Sequence, residues 1–219
     1  MAFKKCCFYD FDGVLGDSLS AHIIFLHDMN KLFDMGLNLP NPNDYEACKK
    51  TTKSSMHEFI REAGFQEKVV KEIDNIYKEE FHKNERYKFS LFPDIKETLS
   101  TLFQKGFLQG IISANYTKNI KHPLLNNGVE RFLTFVYGRE DLINCNKGET
   151  LKYLKTAPFF SSDNKFILIG DTEGDYSAAV EAEVEFVGVA YGWGFDENEK
   201  RFSVAKDPKH LQEILLGLK

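Results

Sequence analysis

The stretch Asp10-Phe11-Asp12-Gly13-Val14 directly follows an apolar run, Cys6-Cys7-Phe8-Tyr9, and predicts a buried strand that ends in two acids. Two carboxylates at such a position are costly to desolvate unless a counter-charge lies beside them. A divalent cation would supply that charge and would leave one aspartate free to attack a phosphoryl group. A polar turn closed by Asp12-Gly13 is the alternative explanation of the same residues.

Five short apolar runs predict buried β-strands. They are residues 3–10, 107–113, 132–137, 165–170 and 185–191. Their continuous rather than alternating apolarity is typical of a parallel sheet that is covered on both faces. Stretches with a helical pattern separate the later runs, which indicates βαβ units. The sequence therefore predicts an α/β fold.

A long helical segment follows the first apolar run. About 80 residues precede Pro93-Asp94, far more than one crossover helix needs. Three apolar stripes at helical spacing predict a small helical bundle there. The stripes are Leu19, Ile23, Leu26 and Phe33; Met56, Phe59, Ile60 and Ala63; and Val69, Ile73, Ile76, Tyr77 and Phe81. We therefore expect a core formed by residues 1–16 and 91–219, with a helical domain inserted at 17–90.

Composition argues against several classes of protein. The 219 residues include 28 Lys and Arg and 33 Asp and Glu, which gives a formal net charge of −5. The sequence has no basic stripe of the kind that is typical of nucleic-acid binding. No apolar run approaches the roughly 20 residues that span a bilayer, and no secretory signal is recognisable. Four cysteines without CxxC spacing indicate reduced thiols. We expect a cytoplasmic protein that binds neither nucleic acid nor membrane; its oligomeric state is unknown.

Three later motifs place polar groups where a strand ends or a helix begins. Ser113 ends the second strand, where its hydroxyl could donate to a phosphate oxygen or cap the next helix. Lys147 precedes a helix, where a cation is disfavoured unless an anion lies nearby, although an ordinary surface lysine is the alternative. Asp171 ends the fourth strand, and Asp175 can face the same side of the next helix. Asp171 could bind a metal with Asp175 in support, or could cap that helix.

The order acid pair, serine, lysine, acid pair resembles the haloacid dehalogenase superfamily of hydrolases. The helical insertion resembles the phosphoglycolate phosphatase and β-phosphoglucomutase-like branch of that superfamily. The resemblance covers essentially the whole chain. It implies a Rossmann-like parallel sheet core with an inserted α-helical bundle cap domain. It also implies a Mg²⁺-dependent phosphatase that acts on a small phosphorylated metabolite.

The resemblance assigns catalytic roles to the motifs. It makes Asp10 the nucleophile that forms an aspartyl-phosphate, and Asp12 the general acid and base. Ser113 and Lys147 would hold the phosphoryl oxygens, with Asn115 as a further substrate-binding residue. These roles are chemically reasonable because phosphoryl transfer depends mainly on positioning and charge neutralisation.

The resemblance also implies a metal site made of Asp10, Asp12, Asp171 and Asp175, with Asp12 contributing its backbone carbonyl and Asp175 a supporting contact. Carboxylates, water and phosphate are the ligands that Mg²⁺ prefers. The chain departs from the family pattern in three places. Gly148 follows Lys147 where proline is usual, Ala182-Glu183 replaces a common Ala-Gly, and the cap loop Lys50-Thr51-Thr52-Lys53-Ser54 lacks a frequent glycine.

Two other functions are compatible with the same motifs. A hexose-phosphate mutase is suggested by His22, at a position that resembles one linking substrate binding to cap closure in β-phosphoglucomutase. A non-catalytic binding protein on this scaffold would normally lack a catalytic group such as Asp10, which is present. Lys53, or else Lys49 or Lys50, is the cap cation expected to meet the non-reacting end of the phosphatase substrate. Solvated surface lysines are the alternative.

Overall fold

A six-stranded parallel sheet forms the centre of the computed structural model, which describes residues 5–52, 55–161 and 163–218. Its strands are β1 (Lys5–Tyr9), β2 (Leu108–Ile112), β3 (Phe135–Tyr137), β4 (Lys165–Gly170), β5 (Glu185–Val189) and β6 (Ser203–Ala205). They lie in the order β3-β2-β1-β4-β5-β6, and each neighbouring pair is parallel. The chain order reverses between β1 and β4, which is where ligands of such sheets bind.

The five predicted strands are confirmed, and the α/β class with them. The sequence reading missed β6, a three-residue edge strand that pairs with β5 through Val187 and Ser203. Its residues form no apolar run, so only the pairing identifies it. The adjacent Cys6 and Cys7 of β1 are both fully buried but contribute to the apolar layers on opposite faces of the sheet, as the alternation of side chains along a strand requires.

Nine α-helices surround and extend this sheet in the described part of the chain. They are α1 (Leu19–Leu32), α2 (Tyr45–Lys49), α3 (Met56–Glu62), α4 (Glu67–Glu80), α5 (Ile95–Gln104), α6 (Thr117–Asn127), α7 (Lys147–Thr156), α8 (Glu173–Ala182) and α9 (Pro208–Gly217). Short 3₁₀ turns cover Phe81–Lys83, Glu85–Tyr87, Glu130–Phe132, Arg139–Asp141 and Ile143–Cys145. Apolar residues of α5, α6 and α9 cover one face of the sheet, and those of α7 and α8 cover the other.

The helices α1 to α4 share an apolar core of their own. The three stripes predicted from the sequence meet in it. Aromatic rings are prominent there, since Phe25 lies 5.3 Å from Tyr77 and 5.8 Å from Phe81 between ring centroids. The two segments that lead into and out of this bundle run side by side, and Asp17 N donates to Ser90 O over 3.0 Å. A domain division at residues 17–90 stays a prediction.

None of the helices in the described part of the chain combines the length and the apolar character needed to cross a lipid bilayer.

The end of α8 carries a backbone conformation that suits glycine. Glu183 follows the last helical residue with φ 53° and ψ 50°, in the left-handed region. This is the position at which the sequence departs from the Ala-Gly common in the superfamily that it resembles. A side chain with a Cβ atom is strained in this region, by about 1–2 kcal/mol. The Glu183 side chain is exposed, so its replacement leaves the core intact.

Replacing Glu183 with glycine should therefore stabilise the protein by about 1 kcal/mol, because glycine adopts the left-handed conformation without strain. For a chain of this size the melting temperature should rise by about 2–4 °C in thermal unfolding. Glu183→Ala is the matched control, since it removes the carboxylate but keeps the strained Cβ, and it should give no such rise. Equal rises in both variants would contradict the strain argument.

Candidate active site

Three polar side chains meet because their strands are neighbours in the sheet. Asp10 follows β1, Ser113 follows β2 and Asp171 follows β4, and all three are buried. Backbone hydrogen bonds extend the strand pairing to Asp10 and Ser113. Asp10 N donates to Ile169 O over 2.9 Å, and Ser113 N donates to Tyr137 O over 3.0 Å. The parallel direction of the strands thus brings residues far apart in the sequence to one edge of the sheet.

Lys147 joins this group from the beginning of α7. Its Nζ lies 2.7 Å from Oδ2 of Asp10 and 2.6 Å from Oδ1 of Asp175. The sequence places Lys147 before the helix, but the helix begins at Lys147 itself, because Asn146 caps it by accepting from Glu149 N. Although burial lowers the pKa of Lys147, the two carboxylates raise it above its ordinary value. The anion expected beside this helix start is therefore provided by the protein itself.

Asp175 has contacts at both of its oxygens. Oδ1 accepts from Lys147, while Oδ2 accepts from the Thr172 hydroxyl over 2.7 Å and from Thr172 N over 3.2 Å. Thr172, not Asp171, is thus the N-cap of α8, and the capping explanation of Asp171 is wrong. Asp171 is left free to face the other acids.

Among the three clustered acids of the described chain, Asp171 has a buried carboxylate oxygen without a hydrogen-bond partner. Its Oδ2 accepts from Trp193 N over 2.8 Å, while its Oδ1 is buried and has no hydrogen-bond partner among the described residues. Ligand oxygens of Asp10, Asp171 and Asp175 all lie within 4.8 Å of one another. Burial and the two neighbouring carboxylates raise the pKa of Asp171 well above its usual range. Three carboxylates face one ammonium, so the cluster is chemically suited to hold a divalent cation.

Asp12 is held from both sides of the site. One carboxylate oxygen accepts from the hydroxyl of Ser18, and the other accepts from Nδ2 of Asn115 over 2.7 Å. Burial raises the pKa of Asp12 to about 6, which suits a group that gives and takes protons near neutral pH. Sequence reasoning missed Ser18, because a serine directly before α1 is readily explained as a helix cap. In the structure its side chain makes no cap bond.

His22 brings the helical bundle into contact with the core acids. Its Nε2 lies 3.0 Å from the hydroxyl of Tyr77 and 3.7 Å from Oδ1 of Asp12. The ring also packs edge-on against Trp193 at 5.8 Å. Burial lowers the pKa of His22 to about 3, so the imidazole is neutral at physiological pH. Its role in substrate binding stays a prediction, and in the structure His22 lines the cavity around Asp10 and Asp171.

Lys53, the first candidate for a cap cation, lies outside the described residues. Lys49 and Lys50 line an open cavity beside Trp193 and Gly194, and Lys49 Nζ lies 5.2 Å above the ring of Tyr45. Neither lysine is among the residues that line the cavity around Asp10. The structure therefore does not bring these two lysines to the acids.

The cavity around the acids is small. It has a volume of about 30 Å³ and is lined by core residues, including Asp10 and Asp171, and by Met56, Phe59 and Tyr77 of the helical bundle. Such a volume holds about one or two water molecules. The bundle therefore covers the acids in this conformation.

A family model for haloacid dehalogenase-like hydrolases matches residues 7–189. The chain therefore belongs to the haloacid dehalogenase-like hydrolase family. This confirms the superfamily expected from the motifs and explains why the acids, the serine and the lysine occur in that order along the chain.

Curated phosphatases are similar to part of this chain. A phosphoglycolate phosphatase of Pasteurella multocida is 27% identical over 106 residues, which are 48% of this chain and 47% of the relative. One of Vibrio cholerae is 27% identical over 143 residues, 63% of each chain. The matches thus span less than two thirds of these relatives.

Among solved structures, a predicted phosphatase from Clostridium acetobutylicum superposes with a TM-score of 0.81 at 20% identity over 100% of both chains. A haloacid dehalogenase-like family hydrolase from Streptococcus pneumoniae gives a TM-score of 0.73 at 18% identity, covering 96% of this chain and 97% of its own. At these identities the likeness shows a shared fold.

Replacing Gly13 with alanine should displace Asp171, because a Cβ at Gly13 would lie 2.1 Å from its Oδ2. Gly106→Ala is the matched control: both glycines have φ near +80°, but a Cβ at Gly106 would meet nothing within 4 Å. In thermal unfolding, the free energy of unfolding should fall by about 1–2 kcal/mol in the control, from backbone strain alone. It should fall by more in Gly13→Ala. Equal costs would mean that Gly13 does not support Asp171.

Proposed function

We propose that this protein is a Mg²⁺-dependent phosphatase that hydrolyses a small phosphomonoester through an aspartyl-phosphate on Asp10. One observation carries the proposal: the buried Asp10 carboxylate lies at the reversal of strand order, between the Lys147 ammonium and the partly unpartnered Asp171. Membership of the hydrolase family and the phosphoglycolate phosphatase relatives support the same reaction. A small phosphorylated metabolite as substrate and a cytoplasmic location are parts of this proposal.

The metal would be held by Asp10, Asp171 and Asp175, together with the backbone carbonyl of Asp12. The unpartnered Oδ1 of Asp171 and the excess of carboxylates over ammonium groups support this set. When bound, Mg²⁺ neutralises charge on the phosphoryl oxygens. In our proposal Asp175 chiefly supports the site, since both of its oxygens already accept hydrogen bonds.

The reaction follows from the positions of the remaining groups. A carboxylate oxygen of Asp10 attacks phosphorus, and the bond from phosphorus to the ester oxygen breaks. Asp12 donates its proton to the leaving alkoxide and then takes a proton from the water that attacks the aspartyl-phosphate. This second step releases inorganic phosphate and restores the Asp10 carboxylate. Ser113 and Lys147 hold the phosphoryl oxygens throughout.

We further propose that residues 17–90 act as a cap that opens for the substrate. A cavity of about 30 Å³ is too small for a phosphomonoester, so binding requires the bundle to move. Contacts between α4 and α6 would then have to separate. The Tyr116 hydroxyl donates to Oδ2 of Asp74 over 2.8 Å, and Lys118 Nζ lies 2.6 Å from Glu79. Closure afterwards excludes bulk water from the aspartyl-phosphate.

Asp10→Asn should abolish phosphate release while leaving the fold intact. The amide keeps the shape but is no nucleophile, so we expect a loss of at least about a thousandfold. The melting temperature should not fall, because burial already disfavours the carboxylate and raises the pKa of Asp10 to about 6. Asp34→Asn, at an exposed aspartate, is the control and should keep full activity.

Phosphate release by the unmodified protein also tests the mutase alternative, because a mutase returns the phosphoryl group to a sugar. Substantial hydrolysis by Asp10→Asn would remove Asp10 as the nucleophile. Activity with a sugar bisphosphate but no release from any monoester would favour the mutase.

Mg²⁺ should bind the protein without any substrate present. Because a ligand of the native state stabilises it, Mg²⁺ should raise the melting temperature of the unmodified protein and of Asp34→Ala. Asp171→Ala should lose this rise, since Asp171 is the acid of the cluster whose buried oxygen has no hydrogen-bond partner among the described residues. Chelation should stop phosphate release. Full activity after chelation, or an unchanged metal-induced rise in Asp171→Ala, would rule out the site.

A further inference from the structure

A second cavity of about 520 Å³ lies beside the catalytic cavity. It is lined by α3, α8, the start of α7 and the loops that follow β2 and β3. Ser55, Ala114 and Thr172 line both cavities, and Lys147 lines the larger one. A phosphoryl group held at the acids would therefore leave the rest of its molecule directed toward this space. The cavity is large enough for a small organic tail.

Arg139 is the notable cation of this larger cavity. It lies just after β3, where its backbone N–H donates to Asn115 O over 2.8 Å. This bond holds it next to the loop that carries Ser113. Its side chain is half-buried, and its guanidinium has no ion pair or hydrogen bond among the described residues. A half-buried guanidinium without a carboxylate partner is well suited to bind an anion that arrives from outside.

The other cations that line the cavity in the described part of the chain already have carboxylate partners. Arg61 Nη2 lies 2.5 Å from Oε1 of Glu67. Lys147 is paired with Asp10 and Asp175, as described above. Arg139 is therefore the cation left to meet a ligand.

The lining carboxylates beyond the metal cluster have donors of their own. Glu181 lies 3.1 Å from Lys152 Nζ, and Glu58 accepts from the hydroxyl of Ser55 over 3.2 Å. Both residues are exposed to solvent, which screens their repulsion of an incoming anion. The acids of this cavity therefore leave the guanidinium of Arg139 available.

We infer that Arg139 binds a second anionic group of the substrate, a carboxylate or a second phosphate, a few bonds away from the phosphate that Asp10 attacks. The inference rests on the proposed phosphatase activity and narrows its substrate class. The planar guanidinium can donate two parallel hydrogen bonds to either group. Arg139 would thus select between substrates without taking part in the phosphoryl transfer.

Paired esters that differ only in tail charge provide the test. Phosphoglycolate and its neutral amide form the carboxylate arm. Ethane-1,2-diol bisphosphate and 2-hydroxyethyl phosphate form the second-phosphate arm, and para-nitrophenyl phosphate gives the basal activity. The unmodified protein should prefer the charged member of at least one pair, and the arm with the larger preference identifies the anion.

Arg139→Gln should lower kcat/KM for the preferred charged ester by about tenfold or more, mainly through KM, because a charge-assisted hydrogen-bond pair is lost. The neutral partner and para-nitrophenyl phosphate should change less than about threefold. Arg139→Lys keeps the charge but cannot donate two parallel hydrogen bonds, so its kcat/KM for the charged ester should lie between those of the unmodified protein and Arg139→Gln. Arg131→Gln is the matched control at an exposed arginine and should leave every substrate unchanged.

Two patterns would overturn the subsite. One is equal loss on charged and neutral esters in both Arg139 variants, and the other is no preference for a charged tail in the unmodified protein. Either result leaves the phosphatase proposal intact if phosphate release still depends on Asp10. Failure of the phosphatase proposal would give a different result. Either no ester would release phosphate, or the release would persist in Asp10→Asn.

Discussion

The buried ammonium of Lys147 makes it possible for acids to gather at the ends of the central strands. It lies within 2.7 Å of Asp10 and within 2.6 Å of Asp175, and it is held in place at the capped start of α7. Without it, these acids and Asp171 would lie together where water is largely excluded, at an effective cost of several kcal/mol for each ion. One ammonium does not neutralise three carboxylates, and the remaining negative charge is what makes the cluster suitable for a divalent cation.

Close backbone packing gives this charge cluster its shape. Gly13 and Gly192 both approach Asp171 so closely that a Cβ at either position would lie within 2.4 Å of its side chain. Asp171 is therefore confined between two backbone segments, with Trp193 N holding one of its oxygens. A carboxylate held in this way keeps its other oxygen directed at the acids, which is the preorganisation that phosphoryl transfer depends on.

The helical bundle covers the acids and also places polar side chains next to Asp12. Ser18 and His22 of the bundle approach Asp12, while Asn115 binds the same carboxylate from the core. The position of the proposed general acid therefore depends on both parts of the molecule. On the outer side, Arg139 faces the same bundle across a larger cavity. The residues proposed for proton transfer and for recognition of the substrate's tail thus both lie at the contact between bundle and core.

Local patterns in the sequence were enough to predict five strands, the helical bundle, and the acids, serine and lysine at strand and helix ends. Apolar periodicity and the cost of burying charge are properties of a few neighbouring residues, so they can be recognised along the chain. The same local patterns could not reveal the edge strand β6, the hydrogen bond from Ser18 to Asp12, or an Arg139 guanidinium that has no ion pair within the described part of the chain. Each depends on residues distant in sequence that only the sheet order and the packing of the bundle bring together, and therefore only the tertiary structure decided them.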